Sequence, residues 1–348
     1  MAHRRLGKVF VGMSGGVDSS VSAYLLKKQG YEVVGIHLKC WNKKGCDEQE
    51  ARDARLVANK LEIPFYVFDM EKEYKERVVD YMIDSYRNGL TPNPDVMCNK
   101  EIKFGLFFEK ALSMGADFIA TGHYAKLIQE GEKNYIYAAK DANKDQSYFL
   151  WTLEEEKLGK VIFPLGDITK EEVRRIAKDA GLHVADKKDS QGICFIGQVT
   201  LQEFLNEYLE NKEGNVLNVE GAVIGTHEGA HLYTIGQRHG LGVALNKPHY
   251  VLDKDIEANT VVLAEGDAHG LERSEVSIRD FRLNEGFSLP SKVFARVRYR
   301  QDLHEAVLDR LEDNLVLRFS QPVRFVAPGQ SAVFYDGKGR LLGGGIIL

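Results

Sequence analysis

Two of the four cysteines in this chain of 348 residues, Cys98 and Cys194, sit where a thiol could do chemistry. Cys98 follows Thr91-Pro92-Asn93-Pro94-Asp95, whose two prolines exclude a helix interior or a central strand and make a stiff loop. A helix is expected to open at Cys98 and run toward Met114, with Gly115 as its stop. Free N–H groups and the helix dipole at that mouth would favour the thiolate. Asp95 precedes Cys98 on the same loop, where it either exchanges a proton with a substrate or caps the next helix. Cys194 stands between the glycines of Gly192-Ile193-Cys194-Phe195-Ile196-Gly197, which suits an accessible loop. No Cys-x-x-Cys pair occurs, so the spacing fits neither a zinc ribbon nor a thioredoxin-type motif. Cys40, and Cys46 with it, fit the commoner role of a small buried hydrophobe.

The second chemical feature is Val9-Phe10-Val11-Gly12-Met13-Ser14-Gly15-Gly16-Val17-Asp18-Ser19-Ser20. An apolar run leads through a Gly-rich turn into a helix that reaches Lys28 and stops at Gly30, and a second apolar run follows from Tyr31 to Leu38. Strand, turn, helix and strand make a βαβ unit. Gly15 and Gly16 let the backbone approach an anion, and the N–H groups of the helix start point at it, so this is a phosphate site. It is not the usual nucleotide loop, because no Gly-Lys-Ser/Thr follows the glycines.

The elements that must position these residues alternate. Asp47 is a plausible cap for a helix to Leu61; Pro64 to Asp69 reads as a short buried strand, Tyr74 to Tyr86 as a helix, and Phe118 to Thr121 as a strand ending in Gly122-His123. Such alternation predicts a parallel, doubly wound sheet with ligands at the strands' carboxyl ends. Ala125 to Ile128 is expected to pair with Tyr135 to Ala139 as a hairpin. Lys144-Asp145-Gln146-Ser147 is a polar loop, and Thr169-Lys170-Glu171-Glu172 has capping-box spacing. A helix from Leu201 to Leu209 closes a first domain, residues 1–212. Beyond Gly214 short apolar runs alternate with turns, as in two small β-rich domains, 213–270 and 271–348. If Lys292-Val293-Phe294-Ala295-Arg296-Val297-Arg298-Tyr299-Arg300 is a strand, Arg296, Arg298 and Arg300 share one face, either as a phosphate ladder or as a solvated surface.

Composition bounds the reading. Hydrophobic residues make up 44% and charged residues 28%, as in an ordinary soluble protein of two or three domains. No apolar run is long enough to span a bilayer, and the N-terminus lacks the apolar core of a signal peptide, so a cytoplasmic protein without a membrane partner is expected. Any cysteine bridge is then catalytic rather than structural. The net charge of −5 exerts no general pull on nucleic acid; DNA is not expected as a partner, and RNA would need a local basic patch.

Ser14-Gly15-Gly16-Val17-Asp18-Ser19-Ser20 resembles the pyrophosphatase loop of the ATP-pyrophosphatase superfamily. The neighbourhoods Thr91 to Phe104, Ala120 to Tyr124, Lys144 to Leu150, Asp189 to Gly197, Thr234 to Arg238 and Pro328 to Tyr335 resemble the tRNA-specific 2-thiouridylases, in order along nearly the whole chain to Gly343-Gly344-Gly345. The resemblance implies an adenine-nucleotide α-hydrolase-like α/β fold, then two small β-rich domains, the last a β-barrel that binds tRNA. It implies that ATP adenylates O2 of the wobble uridine, that a Cys194 persulfide delivers sulfur, and that Cys98 is the nucleophilic partner thiol, leaving a Cys98–Cys194 disulfide together with AMP and pyrophosphate. The residues alone do not assign the two thiol roles.

By the same resemblance Gly12, Met13, Ser14, Gly15, Gly16, Val17, Asp18, Ser19, Leu38 and Gly122 contact the nucleotide, with Leu38 where the family usually has Met. Asp18 is the candidate Mg2+ ligand. Asn93, Pro94 and Asp95 meet the target base in the anticodon stem-loop, and Asp95 joins the two cysteines in catalysis. His123, Lys144, Asp145, Gln146, Arg298, Tyr299 and Gln330 contact tRNA. A persulfide donor protein, a cysteine desulfurase or a relay, is the implied partner. Three alternatives stand beside this. One is an iron–sulfur cluster held by Asp95, Cys98 and Cys194. The others are an ATP-dependent amide ligase of the same superfamily and a tRNA-binding module with a vestigial nucleotide site.

Overall fold

The computed structural model describes residues 6–41, 46–188, 199–243, 247–266 and 269–348. They fall into two compact units, one of Met1–Val78, Asp95–Gln198 and Gly339–Leu341, the other of Val79–Pro94, Val199–Lys338 and Leu342–Leu348.

The first unit is built on five parallel strands, β1 (Lys8–Gly12), β2 (Glu32–Lys39), β3 (Phe65–Asp69), β4 (Phe118–Ala120) and, after the hairpin β5 (Lys126–Glu130) and β6 (Lys133–Tyr137), β7 (Val161–Ile162). Their order is β3-β2-β1-β4-β7. The chain leaves β1 toward β2 and β3 on one side and returns to β4 and β7 on the other. The gap between β1 and β4, paired through Val11 and Ala120, is therefore the topological switch point at which such sheets bind ligands. Val9, Phe10 and Val11 are all buried, as befits a central strand covered on both faces. The strand expected to be buried at Pro64 to Asp69 is instead the sheet edge: Tyr66 and Val67 are exposed and only Phe68 is buried.

Helix α1 (Val17–Gln29) closes on Gly30, whose φ of 102° makes it the left-handed cap expected from the sequence. Helix α2 (Cys46–Lys60) packs on β2 and β3, and α3 runs through Glu71–Tyr74, Lys75–Val79 and Asp80–Arg87. Helix α4 runs without a break through Pro94–Met97, Cys98–Leu106 and Phe107–Ser113, its middle turns in the wider π form. It opens at Pro94, not at Cys98. Proline is tolerated in a helix's first turn because its missing N–H would have no partner there. Helix α5 (Lys170–Asp179) carries the expected capping box, and Thr200 caps a shorter α6 (Leu201–Leu205) than the expected helix to Leu209.

The second unit holds two β structures. The strands β8 (Gly214–Leu217), β9 (Val223–His227), β10 (His249–Asp255) and β11 (Thr260–Glu265) form one sheet in the order β10-β11-β8-β9. The strands β12 (Glu272–Leu283), β13 (Ser291–Arg296), β14 (His304–Leu311), β15 (Asn314–Arg324), β16 (Ser331–Tyr335) and β17 (Leu341–Ile347) close into a barrel around Ile278, Ala295, Leu308, Leu317 and Phe334. The arginine ladder is not realised. Strand β13 ends at Arg296, Arg298 lies in a bend, and Arg300 has a φ of +65° that no strand residue adopts. Among the described residues no helix is long and apolar enough to cross a membrane.

Candidate functional site: an anion loop beside a buried thiol

The loop after β1 is shaped by its own hydroxyls. Ser19 Oγ accepts from the Ser14 amide at 3.1 Å, and the Ser20 hydroxyl donates to the Gly16 carbonyl at 2.7 Å. Met13 is locked below it, its amide donating to Ile36 O at 2.7 Å and its carbonyl accepting from the His37 ring at 3.0 Å. Gly15 has a φ of +73°, and a Cβ there would stand 2.3 Å from the Glu50 carbonyl oxygen, so only glycine fits. Gly16 begins α1 with no side-chain cap, which leaves the first-turn N–H groups of Val17, Asp18 and Ser19 for an anion. Gly122 is pressed onto the same turn: its Cβ would lie 2.7 Å from Ser19 N. Gly12 ends β1, and Leu38, half-buried, lies near the end of β2.

Two lysines that sequence reasoning missed hold this loop. Lys170 Nζ reaches both Asp18 carboxylate oxygens at 2.8 Å, and Tyr124 Oη donates to Oδ1 at 2.7 Å. Asp18 is thus held as the ion-pair partner of Lys170. Lys187 Nζ donates to the Gly15 carbonyl at 3.0 Å and to Asp53 Oδ2 at 2.7 Å. Burial would raise the Asp53 carboxyl, but the hydrogen bond and charge of Lys187, with Gln49 and His183, outweigh it and hold Asp53 below its usual range. Arg174, one turn into α5 from Lys170, clamps the carbonyls of Ala185 and Lys187 at 2.8 and 3.0 Å. Only the capping-box signal touched this helix in the sequence; nothing local links Lys170 or Lys187 to the loop.

The thiol half departs from expectation. Cys98 lies one turn inside α4 and is 8% exposed. Burial pushes its thiol up, reinforced by the Asp95 charge and opposed by Lys103 and by a hydrogen bond from Tyr74. The helix-mouth thiolate is therefore replaced by a protonated, buried thiol. Burial likewise pushes the Asp95 carboxyl up, with Lys103 opposing. His123 is 6% exposed, joined to Thr121 Oγ1 at 2.7 Å and packed on Phe104 and Phe163 at 5.8 and 6.0 Å between ring centres. Burial, helped by Lys103, holds it well below the ordinary histidine value. Lys103 is the charge common to Asp95, Cys98 and His123, and it lay unremarked in the Cys98 motif.

The remaining predicted positions divide. Asp145, 3% exposed, accepts from Ala139 N, Ser147 N and Ser147 Oγ, and Gln146 Oε1 accepts from Tyr124 N at 3.1 Å. These two fold their loop, while Lys144 is half-buried beside them. In the second unit Asn93 and Pro94 are buried, and Gln330 turns its amide to the carbonyls of Thr91 and Pro92. Arg298 and Tyr299 are half-buried in the turn after β13, with Arg300 over the Tyr299 ring at 5.4 Å. Cys194 and its neighbours lie outside the described residues, and with them the expected disulfide and the cluster alternative. Among the described residues no group of three or more His, Cys, Asp or Glu could hold a metal ion.

Comparison with known proteins gives three family matches in chain order. Residues 7–198 match the tRNA methyl transferase HUP domain, 202–265 the tRNA methyl transferase PRC-barrel domain, and 273–347 the aminomethyltransferase beta-barrel domain. A relative named tRNA-specific 2-thiouridylase MnmA from Legionella pneumophila (strain Paris) is 45% identical over 358 residues, covering 98% of each chain. A relative of that name from Listeria monocytogenes is 47% identical over 350 residues, covering 98% of this chain and 94% of its own.

Two outcomes follow from the geometry. Lys187→Met frees the Gly15 carbonyl, so calorimetry should show pyrophosphate and ATP binding weakened roughly tenfold, about the worth of one charge-assisted hydrogen bond, with AMP binding unchanged. Equal weakening of all three would mean general damage to the fold. Peptide-resolved iodoacetamide labelling of Cys98 should rise with pH around a midpoint above that of an ordinary thiol, and Lys103→Met should move it higher still. A midpoint below the ordinary value would contradict the buried thiol.

Proposed function

Because this chain belongs to the tRNA-specific 2-thiouridylase family, we propose that it forms 2-thiouridine in tRNA by ATP-dependent thiolation, acting on the wobble uridine of the anticodon loop. The observation that carries this reading is the Gly122-His123 joint. Gly122 touches the anion-binding turn of α1, and the next residue packs against α4, which bears Asp95 and Cys98. A phosphate site and a thiol thereby share one end of one sheet.

The chemistry requires both. A uracil carbonyl oxygen does not leave unaided. Attack of uridine O2 on the α-phosphorus of ATP expels pyrophosphate and leaves AMP on O2, which does leave. The terminal sulfur of a Cys194 persulfide then bonds to C2 as AMP departs. The Cys98 thiolate attacks the Cys194 sulfur, freeing 2-thiouridine and forming a Cys98–Cys194 disulfide. A thiol reductant or a fresh persulfide donor resets the pair.

This chain's residues divide the work. Gly15, Gly16 and the first turn of α1 take the pyrophosphate, with half-buried Leu38 on the adenosine side and Met13 supporting the loop from below. Asp18, at the mouth of this turn, would hold Mg2+, which takes few protein ligands beside phosphates; the ion would supply neutralising charge there. Lys103 favours ionisation of Cys98 as the reaction calls for it, and Asp95, whose carboxyl burial pushes up, is the group on the same helix that would exchange a proton with the uracil. Residues 1–212 would carry the activation and thiol chemistry, 213–270 a central module, and 271–348 RNA docking through Arg298 and Tyr299. An isolated anticodon loop presents bases that can be splayed out at low cost.

The test is mass analysis of nucleosides from tRNA incubated with the protein, ATP, Mg2+ and a persulfide donor. The intact protein should yield 2-thiouridine. Cys98→Ser and Cys194→Ser should each abolish it while tRNA-dependent pyrophosphate release persists, and Asp18→Ala should stop that release as well. Full thiolation by either cysteine variant would overturn the two-thiol reaction.

A further inference from the structure

Two stretches singled out in the sequence, Thr234-Ile235-Gly236-Gln237-Arg238 and Pro328-Gly329-Gln330, have no part in the chemistry above. In the second unit both reach the same dipeptide. Thr91 N donates to the Pro328 carbonyl at 2.8 Å, and the Thr91 hydroxyl donates to Thr234 Oγ1 at 3.3 Å. Gln330 Nε2 donates to the carbonyls of Thr91 and Pro92 at 3.0 and 3.1 Å, one for each amide hydrogen. Thr91 is only 7% exposed and Pro92 is buried. A proline-rich turn has no strand ladder to satisfy such carbonyls, and leaving two of them buried without donors is costly.

The two arms of this contact are themselves rigid. Gly329 has a φ of +90°, and a Cβ there would come within 2.9 Å of Thr91 N, so glycine alone allows the approach. Its amide donates to Ile347 O at 2.9 Å, and Gln330 O accepts from Ile347 N at 2.8 Å, which fastens the turn to barrel strand β17. On the other side Gln237 Oε1 accepts from Thr234 N at 3.0 Å, and Gly236 N donates to Val251 O at 2.8 Å in the neighbouring sheet. Gly236 in turn has a φ of +80° and sits against Phe325. Each arm is thus tied to a separate β structure, and the loop lies between them. The chain runs directly on from Pro92 into Asn93, Pro94 and Asp95.

We propose that Thr234 and Gln330 are positioning residues, a two-sided clamp that fixes the Thr91–Pro92 backbone and so the entry of Asn93-Pro94-Asp95 into α4. Gln330 acts on the reaction through this loop, because both of its amide hydrogens are spent on loop carbonyls rather than presented to RNA. The proposal rests on the reading of Asn93-Pro94-Asp95 as the base-contacting loop, but the clamp itself is measurable without activity.

The experiment compares Gln330→Ala, Gln330→Glu, Thr234→Val and Thr234→Ser in the full chain. Thiolation should lose roughly 10- to 100-fold in kcat for the first three, as small misplacements of reacting groups do, while the tRNA Kd and its salt dependence stay within about twofold. Thr234→Ser, which keeps the hydroxyl, should restore kcat. Hydrogen exchange across residues 91–99 should quicken in the three impaired variants and not in Thr234→Ser. A rise of about tenfold in tRNA Kd with unchanged exchange would make Gln330 an RNA contact and overturn the proposal. Unchanged exchange and unchanged kcat would overturn it as well. Were the intact protein inactive on tRNA, the functional reading would fail while the exchange arm still decided the clamp.

Discussion

Gly122 lies so close to the first turn of α1 that a Cβ would stand 2.7 Å from Ser19 N, and the next residue, His123, packs its ring on Phe104 and Phe163. That pair of contacts ties the end of β4 to the phosphate turn on one side and to the thiol helix on the other. The tie works because β1 and β4 are parallel neighbours paired through Val11 and Ala120, which sets both loops at the same end of the sheet. A side chain at residue 122 would push the β4 loop off the first turn of α1.

Three lysines then set the electrostatics, two of them paired with groups far away in the chain. Lys170 holds Asp18, Lys187 holds the Gly15 carbonyl and Asp53, and Lys103 faces Asp95 and Cys98. Helix α5 links two of these sites, since Lys170 and Arg174 project from successive turns, one to the phosphate loop and the other to the strand of chain that bears Lys187. Burial makes Cys98 a poor nucleophile by itself, so its reactivity depends on the nearby cation and the Tyr74 hydroxyl. A thiol that stays protonated until needed is less exposed to adventitious oxidation.

Much of this was legible where the signal is local. The βαβ unit, the Gly30 cap, the hairpin of β5 and β6 and the Thr169 capping box all rest on residues a few positions apart, and each is present. Where tertiary context decides, local rules miscarried. Pro94 was read as a barrier to helix, yet at a first turn it lacks only an N–H that needs no partner. Alternating arginines suggested a strand through Arg300, but the barrel turns after Arg296. The apolar run of β3 looked buried, though sheet order makes it an edge. The lysine partners were invisible because a pairing such as Lys170 with Asp18, 152 residues apart, leaves no local trace.

The proposed function depends on activation of the uridine oxygen by ATP before sulfur arrives. The most direct measurement of that step uses tRNA carrying 18O at O2 of the wobble uridine, incubated with the protein, ATP, Mg2+ and a persulfide donor, followed by mass spectrometry of the nucleotide product. Adenylation of O2 predicts that the label appears in the phosphate of AMP in step with 2-thiouridine. Unlabelled AMP, with thiolation proceeding and the 18O released into water, would contradict it.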